Sequence, residues 1–349
     1  MKNKLMLYGA NGYSAKLIIE ELIPRNIMPI LAGRNESVIK NLAAEYNCEW
    51  KAFDLSDEIK LIESLKNVHT LLNCAGPFKY TAKDLIDACL LAKTNYLDIT
   101  GEMPVMHLAF SLRKSAKKNG IVILPSVGFD IIPTDCLAKR LSEKMPDATH
   151  LKLGLINKRG KISRGTFLTT LEFLGGKGKI RRSGNVVDSR IGEFKINFKR
   201  KEFTFYGISI PWGDVYSSYH STGIPNAEVY LAVPKFVSII SPLLLFFMKL
   251  LRVQSVKNIV GNYIKEHYTG PTVEERESAE TYIWGMVENG KGEKIEEVYQ
   301  VQEGYNLTAK GAAECSVRVL NNNLPPGTYT PSMAFGSDFL ESFVIRKII

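Results

Sequence analysis

Over its first 125 residues the chain alternates short apolar runs with amphipathic stretches at a regular spacing, and few folds accept that rhythm. Lys4–Gly9, Met28–Arg34, Cys48–Leu55, His69–Pro77, Asn95–Thr100 and Gly120–Gly128 read as strands. Ala15–Leu22, Glu36–Tyr46, Asp57–Lys66 and Thr81–Ala92 read as helices between them, with apolar side chains on one face, as at Ile59, Ile62 and Leu65. Strands separated by helices of this length pair in parallel through crossovers that are right-handed almost without exception. The expected fold class is α/β, a Rossmann doubly wound parallel sheet that takes its ligands at the carboxyl ends of its strands.

The first strand runs straight into Gly9, Ala10, Asn11, Gly12, Tyr13, Ser14 and Ala15. The spacing G-x-x-G-x-x-A differs from the G-x-G-x-x-G/A fingerprint of dinucleotide sites, but the physical requirements are met. Gly9 allows a sharp turn off the strand. Gly12 lets backbone approach a pyrophosphate, and Ala15 is small enough for the helix to pack closely on the sheet. The helix start then offers amides and a partial positive charge to the phosphate. The second strand closes on Gly33, Arg34 and Asn35, where a site for NAD would carry a carboxylate. A guanidinium there matches phosphate oxygens and favours the 2′-phosphate of NADP over NAD. Asp54 closes the third strand. Cys74, Ala75, Gly76 and Pro77 close the fourth, where small residues let a ribose or ring lie against backbone. Asp98, Thr100, Gly101 and Glu102 follow the fifth.

Beyond residue 128 the rhythm changes. A loop and helix over Gly128–Met145 precede β-rich segments from Leu151 onward, with helices near Phe167–Leu174 and Val256–Tyr268. The expected division is residues 1–128 as the NAD(P)-binding domain and 129–330 as an α+β substrate and dimerisation domain with a mixed or antiparallel sheet. Residues 331–349 are expected to return to the first domain. At 349 residues and 45% hydrophobic, the chain can bury two such cores.

Charge is uneven. The whole chain carries +9, and residues 177–201 alone hold nine Lys/Arg against two acids. This segment is either a solvated hairpin or a patch for anionic lipid or a phosphorylated substrate. No nucleic-acid reading motif accompanies it, so no nucleic-acid partner is expected. Phe236–Met248 holds thirteen uncharged residues between Lys235 and Lys249. As a helix it would run about 20 Å, short of the roughly 30 Å of a bilayer core, and Pro242 interrupts it. It reads either as a buried or dimer-interface helix or as a peripheral membrane anchor with basic flanks. The five cysteines are far apart and form no metal-ligand pattern; they fit a reducing, cytoplasmic compartment, and no metal is expected. The apolar run at the start breaks at Gly9, too soon for a secretory leader.

"GANGYSA", "AGRN", "NCAGPF", "YLDITGE" and "GFDIIPTD", followed by "RGTFLTTLEF", "STGIPNAEVY", "EGYNLTAKGAA" and "PPGTYTPSMAFG", come in an order that resembles the saccharopine dehydrogenase-like oxidoreductase family. The likeness is to its branch of trans-acting enoyl reductases. Asn11 and Ala15 depart from the commoner Thr and Gly, and both keep the turn workable. The resemblance implies an NAD(P)-binding Rossmann domain, a second α+β domain and a homodimer. It does not imply action on saccharopine.

Hydride reduction of a C=C or C=N bond needs a proton donor opposite the hydride face. Tyr80, just past "GPF", stands within reach of the expected nicotinamide edge, and Asp130 in "GFD", on the exit loop of the sixth strand, is the expected positioning residue. Tyr216 and His220, on a loop of the second domain, are the expected substrate contacts. Two functions remain open at this level. One is an NADP-dependent reductase of an apolar or lipid-linked small molecule. The other is a non-catalytic NADP-binding scaffold or sensor at a membrane.

Overall fold

The structure is a computed structural model that describes residues 4–173, 176–200, 203–237, 239, 253–321 and 324–349. The chain divides into two units, Met1–Ile132 with Gly304–Ala334, and Pro133–Glu303 with Phe335–Ile349.

The first unit is built on a seven-stranded parallel sheet. Its strands are β1 (Lys4–Tyr8), β2 (Ile30–Gly33), β3 (Trp50–Ala52), β4 (Val68–Asn73), β5 (Asn95–Asp98), β6 (Val122–Leu124) and the two-residue strand Gly327–Thr328. Their spatial order is Gly327–Thr328, β6, β5, β4, β1, β2, β3. Four of the five residues of β1 are buried, as a central strand covered on both faces requires. Its neighbours are in register at Met6 with Ile30 and at Leu7 with Leu72. Strand order reverses between β1 and β4, which opens a crevice at their carboxyl ends. The turn after β1 and the residues after β4 therefore flank one place. Helix α1 (Tyr13–Leu22) buries Ala15, Ile18, Ile19 and Leu22. Met6, Leu71, Leu85, Ile86 and Tyr96 stand in the core.

The second unit holds a nine-stranded mixed sheet. Its strands are β7 (Ala148–Lys158), β8 (Gly178–Arg182), β9 (Asn185–Ser189), β10 (Lys195–Lys199), β11 (Thr204–Ser209), β12 (Asn226–Val233), β13 (Glu280–Asn289), β14 (Lys294–Val301) and Val344–Lys347. Among the described residues, only β7 and β12 of this sheet pair in parallel. The sheet curls strongly: the Phe198 ring on β10 lies 5.5 Å from Trp284 on β13, although β11, β12 and β7 stand between them. Phe203, Phe205, Tyr230 and Tyr282 fill the concave side. Gly154 on β7 leaves room for this, because a Cβ there would stand 3.1 Å from the Trp284 ring.

The division departs from the one the sequence rhythm suggests. The first boundary falls at Ile132/Pro133, not at 128. Residues 304–334 rejoin the first unit: Arg25 pairs with Glu314 at 2.8 Å, and Gly327 aligns with Val122. Residues 335–349 do not return to it. Val344–Lys347 pairs with β14 of the second unit. Part of the basic segment is paired or buried. It forms the β8–β9 hairpin and β10, with Lys177 and Lys179 paired to Asp188, Arg182 to Glu228 and Arg200 to Glu296. Arg181 is buried and donates to the carbonyls of Val215, Gly184 and Tyr216. Of Phe236–Met248, residues 238 and 240–248 lie outside the described residues.

Candidate functional site

The turn after β1 is fixed from both sides. The Gly9 and Ala10 amides donate to the Ala32 carbonyl at 2.8 and 3.1 Å, and the Gly12 amide donates to the Gly9 carbonyl at 2.9 Å. These three are therefore spent on the turn itself. Gly9 adopts φ +80°, and a Cβ there would stand 2.8 Å from both the Cβ and the backbone N of Ala75. The turn and the β4 exit thus touch through backbone, with no space for a side chain. Gly12 is the N-cap of α1 and contributes no side-chain cap. The first turn of α1, in which Ser14 follows Tyr13, is the kind of helix start whose amides and dipole suit an anion such as a diphosphate. Tyr13 is braced from the side by Tyr305, whose ring lies edge-on at 5.0 Å.

At the exits of β1, β2 and β3 stand Tyr8, Arg34 and Asp54. Arg34 is exposed directly after β2. Asp54 accepts from the Ser56 amide and hydroxyl at 3.0 and 2.7 Å. Those two bonds, and then the Arg34 charge, hold its carboxyl below the usual range. Tyr8 stacks on Phe53 at 5.2 Å, and burial pushes its phenol up to about 12. Asn35 also begins the next helix. Its side chain caps the helix Glu36–Tyr46, accepting from the Val38 amide at 3.2 Å and the Ser37 hydroxyl at 2.9 Å. Gly33 packs against Ile39, whose Cδ1 would lie 2.9 Å from an added Cβ. Arg34→Ala is expected to weaken NADPH binding roughly 10- to 100-fold, the worth of a charge-assisted contact, and NADH binding by less than about threefold. Calorimetry with both nucleotides checks this, and equal losses would remove the 2′-phosphate assignment.

The exits of β4, β5 and β6 are tied by a buried polar network. Asn73 donates to the Thr81 and Tyr96 hydroxyls at 3.1 and 3.2 Å and accepts from the Ala75 amide at 2.9 Å. Tyr96 donates to Asp98 at 2.9 Å, and Asp98 also accepts from the Thr100 and Ser126 amides at 3.0 and 2.8 Å. Burial nevertheless pushes the Asp98 carboxyl up to about 6. Thr100 accepts the Glu102 amide at 3.0 Å. Cys74, Ala75 and Pro77 are half-buried and Gly76 is exposed, so the β4 exit presents backbone outward.

Asp130 lies on the same rim. Its carboxylate rests on Gly101, where a Cβ would stand 2.9 Å from Oδ2. Burial, and then the charge of Glu102, pushes it up to about 7. Tyr80 ends a short turn, Phe78–Tyr80, is exposed, and has the Lys79 ammonium 4.6 Å over its ring. Tyr216 and His220 belong to the second unit. They stand not on a loop but on the helix Asp214–Thr222, one turn apart, with rings 4.9 Å from each other. The helix is hard to read from sequence because its Ser, Thr, Asp, Tyr and His are all weak helix formers.

A glycine turn on a parallel sheet at its switch point, with an uncapped helix start and a cation closing the second strand, defines a dinucleotide-binding α/β protein. Residues 5–124 match the family described as the saccharopine dehydrogenase NADP binding domain. The match supports NADP as the nucleotide. A saccharopine dehydrogenase-like oxidoreductase of Bos taurus is 26% identical over 190 residues, which cover 49% of this chain and 40% of the relative. A trans-acting enoyl reductase of Mycobacterium ulcerans is 31% identical over 140 residues, 38% of this chain and 34% of the relative. These matches span less than half the length of the curated relatives. Apo saccharopine dehydrogenase (L-Glu forming) of Saccharomyces cerevisiae shares the fold, with a TM-score of 0.67 and 12% identity, covering 99% of this chain and all of that one.

Proposed function

We propose that the chain is an NADP-dependent oxidoreductase that reduces a C=C or C=N bond of an apolar or lipid-linked substrate by hydride transfer. The observation that carries this is the shared rim of the first sheet. The glycine turn and the β4 exit meet there through backbone, and a carboxyl that retains its proton to about pH 7 stands beside Gly101. Bound NADPH supplies the hydride. The chain supplies the rest: the first-turn amides of α1 hold the diphosphate, Arg34 holds the 2′-phosphate, and Asp130 delivers the proton. A protonated carboxyl near the working pH is the form that a proton donor needs. Names among the relatives support the reaction class, since both an oxidoreductase and an enoyl reductase occur there. The test is oxidation of NADPH by the purified chain across a panel of enoyl thioesters and imines. Tight NADPH binding without turnover on any member would favour the scaffold reading instead.

The same reading includes a homodimer and peripheral membrane contact through Phe236–Met248. Among the described residues, no helix is long and apolar enough to cross a membrane. Support for contact comes from Phe236 and Ile239, which are exposed, and from the basic residues that flank the run. Replacing Phe246 and Phe247 by Ser is expected to reduce co-sedimentation with anionic liposomes at least tenfold, about the loss of two buried rings. Unchanged sedimentation with a dissociated dimer would place the segment in an interface.

A further inference from the structure

We infer that Glu102 is a positioning residue that acts on two elements at once: it fixes the turn that carries Tyr80, and it sets the charge environment of Asp130. The inference rests on the reading of Asp130 as the proton donor. Glu102 is almost fully buried. Its two carboxylate oxygens are taken by consecutive backbone amides, Phe78 to Oε1 at 2.7 Å and Lys79 to Oε2 at 2.9 Å. The carboxylate therefore closes the start of the Phe78–Tyr80 turn from outside, where the preceding Pro77 offers no side-chain cap. Its own amide is held by Thr100. The next residue back is Gly101, and on Gly101 lies the Asp130 carboxylate. One buried negative charge thus stands between the turn and the acid.

Two consequences follow from the chemistry. Two N–H donors on one carboxylate favour its ionised form. A negative charge on Glu102 disfavours the ionisation of Asp98 and Asp130, and both carboxyls are raised in part by it. Other ionisable groups belong to the elements packed around this loop. They are Asp98 at the end of β5, Lys79 and Tyr80 on the turn, and Tyr305 and Lys310 on the helix Gly304–Leu320. That helix meets the loop where the Thr308 hydroxyl accepts the Phe129 amide at 3.0 Å.

Glu102→Gln keeps the shape, removes the charge and turns one acceptor into a donor that faces an amide. In the full-length apo chain, the carboxyl ¹³C titration of Asp130 is expected to move down by about one pH unit. Exchange of the Phe78 and Lys79 amides should rise at least tenfold. With NADPH and an accepted substrate, the pH at which the rate falls should move down with the Asp130 titration. A folded variant whose Asp130 midpoint and amide exchange match the wild type overturns the inference. If the variant does not fold, the wild-type chain decides. Its Asp130 curve should show a second inflection where Glu102 titrates, and a single-site curve in the ordinary carboxylate range overturns the inference. The titration needs no substrate, so a chain that reduces nothing would defeat the enzymatic reading while this result still stood.

Discussion

Gly12→Asp should abolish NADPH binding while the chain stays folded. Gly12 has φ −71° and ψ 156°, an extended conformation that any L-residue adopts. A Cβ there would stand 3.1 Å from the Gly9 carbonyl oxygen, a contact that a shift of a few tenths of an ångström relieves. Asp is also among the best N-cap residues, so α1 keeps or gains stability. The same carboxylate would occupy the first-turn amides and repel the diphosphate. A loss of at least 100-fold in NADPH affinity by calorimetry is expected, with a melting temperature within a few degrees of the parent. Gly9→Ala is the contrasting case. Its φ of +80° and the 2.8 Å approach to Ala75 leave no room for a methyl group, so that change should cost stability as well as binding. If the Gly12 variant bound NADPH as the parent does, the diphosphate would lie elsewhere.

Asp130→Asn should lower the rate of reduction by roughly 10²- to 10⁴-fold, the usual worth of a positioned acid. NADPH affinity should stay within about threefold, because the change lies on the rim and not at the turn. The parent rate is expected to fall as pH rises through about 7, where Asp130 loses its proton, and the variant should show no such limb. Stability carries the same signature. The folded-state value lies above the ordinary carboxyl value, so the folded chain binds the proton more tightly than the unfolded one. The stability this contributes is complete below about pH 4 and is lost as pH rises towards 7. Asp98, raised to about 6, adds to the loss in the same direction over a slightly narrower range. Melting curves of parent and Asp130→Asn between pH 4 and 8 check this: the parent should lose more than the variant. A variant that keeps its rate would remove Asp130 from the reaction.

Much of the first unit is legible in the sequence because its signals are local. An apolar run, a glycine turn and an amphipathic stretch each declare themselves within about ten residues, and the helix Glu36–Tyr46 falls where its pattern places it. The residues at Gly9, Gly12 and Arg34 are legible for the same reason, since their positions follow from strand ends. Asn35 was harder. An Asn at a strand exit can serve a ligand or begin a helix, and its cap to the Val38 amide shows only once the helix is in place. Glu102 carries no sequence signal beyond standing near a strand end, because its partners are amides some two dozen residues earlier.

The chain's own order of residues determined a parallel α/β sheet, and it placed a glycine turn after the first strand and a cation after the second. These depend on periodicity and on backbone freedom at single positions. Tertiary structure alone decided which unit owns the C-terminal segments, which acids pair with Arg182 and Arg200, and which carboxyls keep their protons. Each of those rests on contacts between residues far apart in sequence. Asp188 pairs with two lysines of its own hairpin, but Glu228 and Glu296 reach Arg182 and Arg200 only once β12 and β14 have found their places in the sheet. Burial and neighbouring charge, which set the proton affinity of Asp130, exist only after the chain has closed around it.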